Sequence, residues 1–144
     1  WSIIIVLACL LPLGVAMSQT GAAEFLVRHL IGLVAPYGPW VVLAMLYLAV
    51  LMLSEVMSHA AAAVLLTPIA MSTAHLMGVD ATPFLIAVTF AAGTSFATPV
   101  GYQTNTMVYN AGGYRFVDFM KVGLPLNLIF WVIGIIMIPK LWPF

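Results

Sequence analysis

The chain has 144 residues, of which four are basic (Lys or Arg) and four acidic (Asp or Glu), so that 6% is charged and the formal net charge is zero. It is 65% hydrophobic, whereas soluble domains carry about 25% charged residues, so the composition predicts an integral membrane protein. The lack of a basic patch that could neutralise phosphates excludes nucleic acid as a partner.

The first predicted element is an apolar run at residues 1–17. Its length is close to the ~20 residues that a helix needs to cross the hydrocarbon core. It begins without a Met and without a basic region, so we expect a truncated N-terminus and no signal peptide. Cys9 is expected to pack as a small apolar residue. In residues 22–35, Glu24 and Arg28 have the i,i+4 spacing of a helix, which favours a short interfacial or tilted helix.

Residues 40–76 contain two apolar arms around a polar, alanine-rich centre. The first arm, residues 40–53, would reach only ~21 Å as a helix of 1.5 Å rise per residue. The centre reads SEVMSHAAAA, and the second arm fades at HLMGVD. This pattern is typical of a re-entrant hairpin or of two thin spans with an external turn, and length alone leaves both open.

A third apolar run begins at residue 82 and is interrupted by the octapeptide TPVGYQTN, residues 98–105. Pro99 lacks a backbone donor, and Gly101 permits unusual dihedral angles. In lipid, such a break survives only where it packs in protein or lines a wet cavity. Transporters use interrupted helices of this kind to bind an anion and its coupling cation. The octapeptide therefore predicts a ligand-binding break, and a kink plugged by neighbouring side chains is the alternative.

The final apolar run, residues 122–138, predicts the last transmembrane helix. Arg115 and Lys121 lie in the short loop at residues 110–121 that precedes it. Because cytoplasmic loops are enriched in Lys and Arg, we expect this loop in the cytoplasm and the C-terminus outside.

A second polar break is predicted at residues 54–60, where Ser58 can cap the following helix. Glu55 and His59 are four residues apart, so they would share one face if a helix continued between them. Ionisable residues at membrane depth are functional candidates. Mutual pairing of these two side chains at a hairpin tip is the structural alternative.

The segments SEVMSHAAAAVLLTPIA and FATPVGYQTNTMVYNAGGYRFVDFMKVGLPLNL resemble the C-terminal half of the divalent-anion/sodium symporter family, the permeases for sulfate, dicarboxylates and citrate. The resemblance covers residues 1–144 and implies an all-α integral membrane fold that forms the second of two inverted repeats. It implies a re-entrant hairpin at 40–76, a broken helix at 82–112 and a last transmembrane helix at 117–142. The missing N-terminal repeat would complete the carrier, which we expect to be a homodimer in the plasma membrane, the inner membrane of bacteria.

The resemblance also implies the site residues, since Ser58, His59 and Ala60 occupy the family's Ser-Asn-Thr tip. His59 stands where the family has an amide side chain, and Ala60 lacks the hydroxyl of the family's Thr. Two groups expected to donate to the anion are therefore altered or missing, so the resemblance implies an anion symporter but not a particular anion. The family's Ala-Thr-Pro-Pro-Asn loop is matched by Gly101, Tyr102 and Asn105. The expected substrate-binding residues are Ser58, His59, Ala60, Tyr102, Gln103, Thr104 and Asn105. The expected sodium ligands are Ser54, Ser58, Gly101 and Asn105.

The function implied by the resemblance is sodium-coupled symport of a divalent anion by alternating access. No cofactor is expected, and protons could replace sodium with His59 as their carrier, because histidine is a common proton shuttle in proteins. One alternative is a non-catalytic membrane subunit. The other is a membrane-embedded hydrolase that uses Glu55, His59 and His75, but the chain has neither an H-E-x-x-H pair nor a G-x-S-x-G elbow.

Overall fold

The computed structural model describes residues 19–21, 25, 29 and 32–144. The predicted span at 1–17, with Cys9, and the predicted Glu24–Arg28 pair lie outside these residues. The described ranges are helical and contain no strand. This confirms the predicted all-α class.

Five α-helices follow a 3-10 turn at Ala35–Tyr37. They are α1, Pro39–Ser54; α2, His59–Met77; α3, Thr82–Gly93; α4, Gln103–Ala111; and α5, Phe116–Leu141. By length and composition, α2 and α5 could each cross a membrane, while α1 and α3 are apolar but shorter. A re-entrant path for α1 and α2 stays a prediction.

Local sequence signals explain where α1 and α2 begin and end. Gly38 has φ 95°, which an L side chain rarely adopts, and Pro39 starts α1 with a φ suited to the first helical turn. The Ser58 hydroxyl accepts a hydrogen bond from Ala61 N at 3.3 Å and so caps α2. Gly78 ends α2 in the left-handed conformation, with φ 66°.

Helix α1 lies at the centre of the molecule, and α2, α3 and α5 all pack against it. The neighbouring faces carry small residues, which allow close helix approach where lipid offers no hydrophobic driving force. The buried large side chains of the core include Val42, Leu43, Leu46, Tyr47, Val50, Leu66, Phe84 and Val88. The buried alanines are Ala49, Ala62, Ala70, Ala74, Ala87, Ala91, Ala92 and Ala97.

One face of α5 docks on α1 and on the segment that follows α3. A Cβ atom at Gly123 would clash with the Phe96 carbonyl group, so this glycine permits the close approach. Further along, the indole N–H of Trp131 donates to the Ala44 carbonyl at 3.0 Å. The inner face comprises Gly123, Asn127, Trp131, Gly134 and Ile138. Much of the opposite face of α5 is apolar and exposed.

The interruption between α3 and α4 begins and ends earlier in the sequence than the predicted octapeptide, residues 98–105. Helix α3 ends at Gly93, and the non-helical segment spans residues 94–102. The Thr94 hydroxyl donates to the Ala91 carbonyl at 3.0 Å, a local bond that competes with helix continuation. Helix α4 resumes at Gln103, so Asn105 lies in its first turn.

Candidate functional site

The two polar breaks of the sequence are in contact. The Thr98 hydroxyl donates to the Glu55 carbonyl at 2.7 Å, and Ala97 N donates to Glu55 Oε1 at 3.0 Å. A Cβ atom at Gly101 would clash with the Ser54 carbonyl oxygen, so only glycine fits there. We call residues 54–59 and 94–106 the break cluster.

Glu55 lies at the centre of the break cluster and is 8% exposed. Its Oε1 atom accepts hydrogen bonds from Ala97 N and, at 2.7 Å, from Asn127 Nδ2. Asn127 is 4% exposed, and its Oδ1 accepts from Phe96 N at 3.3 Å. The second carboxylate oxygen, Oε2, is buried and has no hydrogen-bond partner among the described residues.

The helix does not continue from Glu55 to His59, so the two side chains do not share a helix face. Helix α1 ends at Ser54, and α2 begins at His59. The His59 ring instead contacts the Tyr102 ring edge-on, with centroids 5.2 Å apart. Its Nδ1 atom is buried without a hydrogen-bond partner in the described part of the chain.

Asn105 shapes the second break from the first turn of α4. Its amide nitrogen donates to the Ser95 carbonyl at 3.1 Å and to the Thr98 carbonyl at 3.2 Å. The neighbouring Thr106 hydroxyl donates to the Pro99 carbonyl. Both amide hydrogens of Asn105 are therefore engaged within the protein in this conformation, and the side chain acts on the loop backbone.

Two helix N-termini meet at the break cluster. Helix α2 starts at His59 and α4 at Gln103, and the His59–Tyr102 ring contact places these starts side by side. The first N–H groups of a helix have no intrahelical acceptor, and they carry the positive end of its dipole. Ala60, Gln103 and Thr104 are exposed at this position. Such an arrangement can bind an anion through backbone N–H groups.

The predicted sodium ligands Ser54, Ser58, Gly101 and Asn105 all lie in the break cluster. The Ser54 hydroxyl donates to the Leu51 carbonyl at 2.8 Å, and the Ser54 carbonyl oxygen lies beside Gly101. Ser95 Oγ faces the same point, is buried, and has no partner among the described residues. No group of three His, Cys, Asp or Glu side chains that could hold a metal ion occurs in the described ranges.

Sequence reasoning missed Asn127 and Ser95. Each is a polar side chain in an apolar stretch, and a buried amide in a membrane helix often bonds across helices. That signal was available for Asn127 in the last apolar run. The sequence around Ser95 does not indicate a site residue, because the hydroxyl reaches the break cluster only through its contact with Gly101 in the folded chain.

Comparison of the sequence with known proteins identifies its family. Residues 1–144 match the family model described as Citrate transporter. An uncharacterized transporter of Synechocystis sp. is 43% identical over 129 residues, which cover 90% of this chain and 21% of that protein.

Two relatives with functional names match nearly the same residues. A probable sodium/sulfate cotransporter 3 of Chlamydomonas reinhardtii is 28% identical over 131 residues, covering 89% of this chain and 14% of that protein. A sodium-dependent dicarboxylate transporter of Staphylococcus saprophyticus is 26% identical over 143 residues, covering 99% of this chain and 27% of that protein. The chain thus spans between 14% and 27% of the length of these three relatives.

The family and its named relatives are transporters, not enzymes, so the hydrolase alternative is set aside. They agree with the resemblance to divalent-anion/sodium symporters. The polar break cluster between apolar helices is the kind of interruption that transporters use. The chain belongs to the citrate transporter family of membrane transporters.

Proposed function

We propose that the full-length protein is a sodium-coupled symporter of a divalent anion, and that the break cluster is the half of its substrate site supplied by the second repeat. The observation that carries this proposal is the side-by-side placement of the α2 and α4 N-termini, fixed by the His59–Tyr102 contact. The names of two relatives, a probable sodium/sulfate cotransporter and a sodium-dependent dicarboxylate transporter, support it.

The anion would be held by backbone N–H groups and uncharged side chains. The break cluster contains no Lys or Arg, so the positive potential must come from the helix termini and from a bound cation. Tyr102, Gln103 and Thr104 are exposed beside the α4 N-terminus, and Ala60 is exposed beside that of α2. Ser58 and Asn105 would hold the two helix starts in place through their hydrogen bonds.

Sodium would bind where unwound backbone meets the Ser95 hydroxyl. The Ser54 carbonyl oxygen and Ser95 Oγ both face Gly101, and Ser95 Oγ has no other partner among the described residues. A sodium ion there would raise the affinity for an approaching dianion. Coupling to protons through His59 is the competing outcome.

The proposed architecture is one inverted repeat, in which α1 and α2 form a re-entrant hairpin, α3 and α4 a broken helix, and α5 the last transmembrane helix. Contact between the two breaks supports this, because an unwound segment in lipid must be buried in protein. The first repeat would supply the matching half, in a homodimer of the plasma membrane. Residues 110–121, which are not one loop but comprise the end of α4, the turn at 112–115 and the start of α5, would lie in the cytoplasm, and the C-terminus would lie outside.

Labelling of single cysteines tests the hairpin. Tyr37 and Leu76 are exposed near the start of α1 and the end of α2. Cysteines that replace them should react with a membrane-impermeant maleimide from the same side. Reaction from opposite sides would show that α1 and α2 cross the membrane as separate spans.

Uptake by the full-length protein in liposomes tests the function. We expect uptake of sulfate, succinate or citrate driven by an inward sodium gradient, and none with potassium in its place. Uptake driven equally well by a proton gradient without sodium would reassign the coupling ion. Absence of uptake for all three anions would favour the non-catalytic membrane subunit.

A fragment of residues 1–144 is the matched control. It holds one half-site, so it should show no sodium-driven uptake on its own. Robust uptake by the fragment would mean that one repeat, or two copies of it, already forms a complete site.

A further inference from the structure

We infer that Glu55 and Asn127 are positioning residues of the anion site, which hold the segment 94–102 against α1 and α5 through hydrogen bonds. This inference rests on the proposed function, because it assigns the two side chains to the site of anion transport. Neither residue was expected to act in this way, and Asn127 was not among the predicted site residues.

The backbone N–H groups of the segment after α3 have no helical carbonyl acceptors. Phe96 N donates to Asn127 Oδ1 at 3.3 Å, and Ala97 N donates to Glu55 Oε1 at 3.0 Å. Both acceptors come from other elements, at least 31 residues away in sequence. An unpaired backbone donor is costly in a membrane interior, so these two side chains replace the missing helical acceptors.

Asn127 joins the two acceptors into one network. Its Nδ2 donates to Glu55 Oε1 at 2.7 Å, while its Oδ1 receives the bond from Phe96. The single amide thus needs both its donor and its acceptor. A carboxylate or an aliphatic side chain at position 127 could not make both bonds. The close approach that brings α5 to this segment is permitted at Gly123, one helical turn earlier.

The network is connected to the anion site through the rest of the break. The Thr98 hydroxyl donates to the Glu55 carbonyl at 2.7 Å. Asn105, in the first turn of α4, donates to the Ser95 and Thr98 carbonyls. A shift of residues 95–98 would therefore move the start of α4, whose N–H groups face the proposed anion.

Hydrogen bonding, not charge, is the property that the structure assigns to Glu55 in this role. Both donors reach the same oxygen, Oε1, and Oε2 has no hydrogen-bond partner among the described residues. A glutamine at this position keeps Oε1 as an acceptor for both donors. An alanine removes it.

The experiment measures sulfate and succinate uptake by full-length variants, normalised to surface protein. Asn127→Ala and Glu55→Ala should each raise the anion KM at least about tenfold, as expected for a loss of about 1.4 kcal/mol in binding. Glu55→Gln should stay within about twofold of the wild type. In the double variant Glu55→Ala/Asn127→Ala, the increase in anion KM should be smaller than the product of the two single increases, because the two side chains act as one unit.

Asn127→Asp is the second variant at this position. The aspartate keeps an oxygen that can accept from Phe96 N. It replaces the amide group that donates to Glu55 with a carboxylate oxygen, and two carboxylates repel each other, so the anion KM should rise at least as much as in Asn127→Ala. The matched control is Asn110→Ala, which removes an exposed amide of α4 outside the break cluster. It should leave KM unchanged.

Hydrogen exchange of the same proteins provides a readout that does not depend on transport. Peptides covering residues 94–102 should exchange faster in Asn127→Ala and Glu55→Ala, but not in Glu55→Gln or Asn110→Ala. Unchanged exchange would overturn the network, and faster exchange with unchanged KM would overturn the positioning role. If Glu55→Gln is as impaired as Glu55→Ala, the carboxylate acts through its charge and the inference fails. A wild type that transports none of sulfate, succinate and citrate refutes the proposed function, whereas the exchange result then reports on the network alone.

Discussion

The two breaks of the chain satisfy their backbone groups in different ways. The first, residues 55–58, is short and closes locally, because Val56 N and Met57 N both donate to the Leu53 carbonyl, at 3.1 and 2.9 Å. The second, residues 94–102, depends on side chains from α4, α5 and the first break. A longer interruption leaves more groups unpaired than local turns can satisfy. Its geometry is therefore determined by residues far away in the sequence, which makes the second break the more vulnerable half of the site.

Among the variants that test this difference between the two breaks, Gly101→Ala should lower anion uptake the most. A Cβ atom there would clash with Ser95 Oγ and with the Ser54 carbonyl oxygen, at the point where the two breaks touch. Overpacking costs about 1–3 kcal/mol, which corresponds to roughly 5- to 150-fold. We expect a loss of anion uptake per surface molecule near the upper end of this range, because the Ser54 carbonyl oxygen belongs to the backbone and cannot turn aside as a flexible side chain can. The matched control is Gly93→Ala, because a Cβ atom at Gly93 meets nothing within 4 Å. Equal uptake by the two variants would show that the breaks do not need this contact.

Asn105→Ala should have the second largest effect. It removes two hydrogen bonds to the carbonyls of Ser95 and Thr98. At about 0.5–1.5 kcal/mol for each bond, apparent anion affinity should fall roughly 5- to 100-fold. Asn105→Asp should be worse, because a carboxylate would face two carbonyl oxygens and repel the anion. The exposed Leu128 on α5 provides the control Leu128→Ala, which should leave KM unchanged. Unchanged dependence on anion and sodium in Asn105→Ala would reduce the second break to a structural kink.

Ser58→Ala tests the first break and should have a smaller effect. It removes the cap of α2, which contributes about 1 kcal/mol, so we expect an increase in anion KM of roughly fivefold. Ser58→Thr keeps a capping hydroxyl and should restore most of the affinity. Ser72→Ala, at an exposed position of α2, is the control. A larger effect for Ser58→Ala than for Asn105→Ala would reverse the ranking of the two breaks.

The smallest expected effect is that of Asp80→Ala on thermal stability. Asp80 lies outside both breaks, in the turn before α3. Its Oδ1 accepts from Thr82 N at 2.8 Å and from the Thr82 hydroxyl at 2.7 Å. The backbone bond and then the side-chain bond lower the pKa of Asp80 below 3.8. A lowered folded-state pKa stabilises the protein above the unfolded-state value, and this contribution is lost as the pH falls through the folded-state pKa.

Thermal unfolding of the purified protein checks this sign. The difference in melting temperature between wild type and Asp80→Ala should be constant between about pH 5 and 8 and should shrink below about pH 4. It should be small because the group is fully exposed and screened by solvent. A difference that grows as the pH falls would contradict the assignment.

Local chemistry made both breaks predictable from the sequence. Ser58 is a good N-cap, and Pro99 and Gly101 interrupt a helix for reasons visible in the residues themselves. The start of the second break was harder to predict from the sequence. Helix α3 ends at Gly93, before the proline and the glycine of the octapeptide, and the Thr94 hydroxyl donates to the Ala91 carbonyl at that point. The roles of Asn127 and Ser95 could not be predicted, since they depend on contacts that only the packed fold creates. Asn105 was identified as a site residue, but its amide donates to the loop backbone in this structure.

The most direct test of the account is substrate protection of the two helix starts in a cysteine-free, full-length carrier. Ala60 and Gln103 are exposed beside the N-termini of α2 and α4, and each would be replaced by cysteine and labelled with a maleimide. If both helix starts form one anion site, sulfate or succinate should slow the labelling of both cysteines in sodium buffer and of neither in potassium buffer. Cysteines at Ser72 and Asn110, exposed elsewhere on the same helices, should label at a constant rate. Protection of only one helix start, or equal protection of the control positions, would contradict a shared anion site at the two breaks.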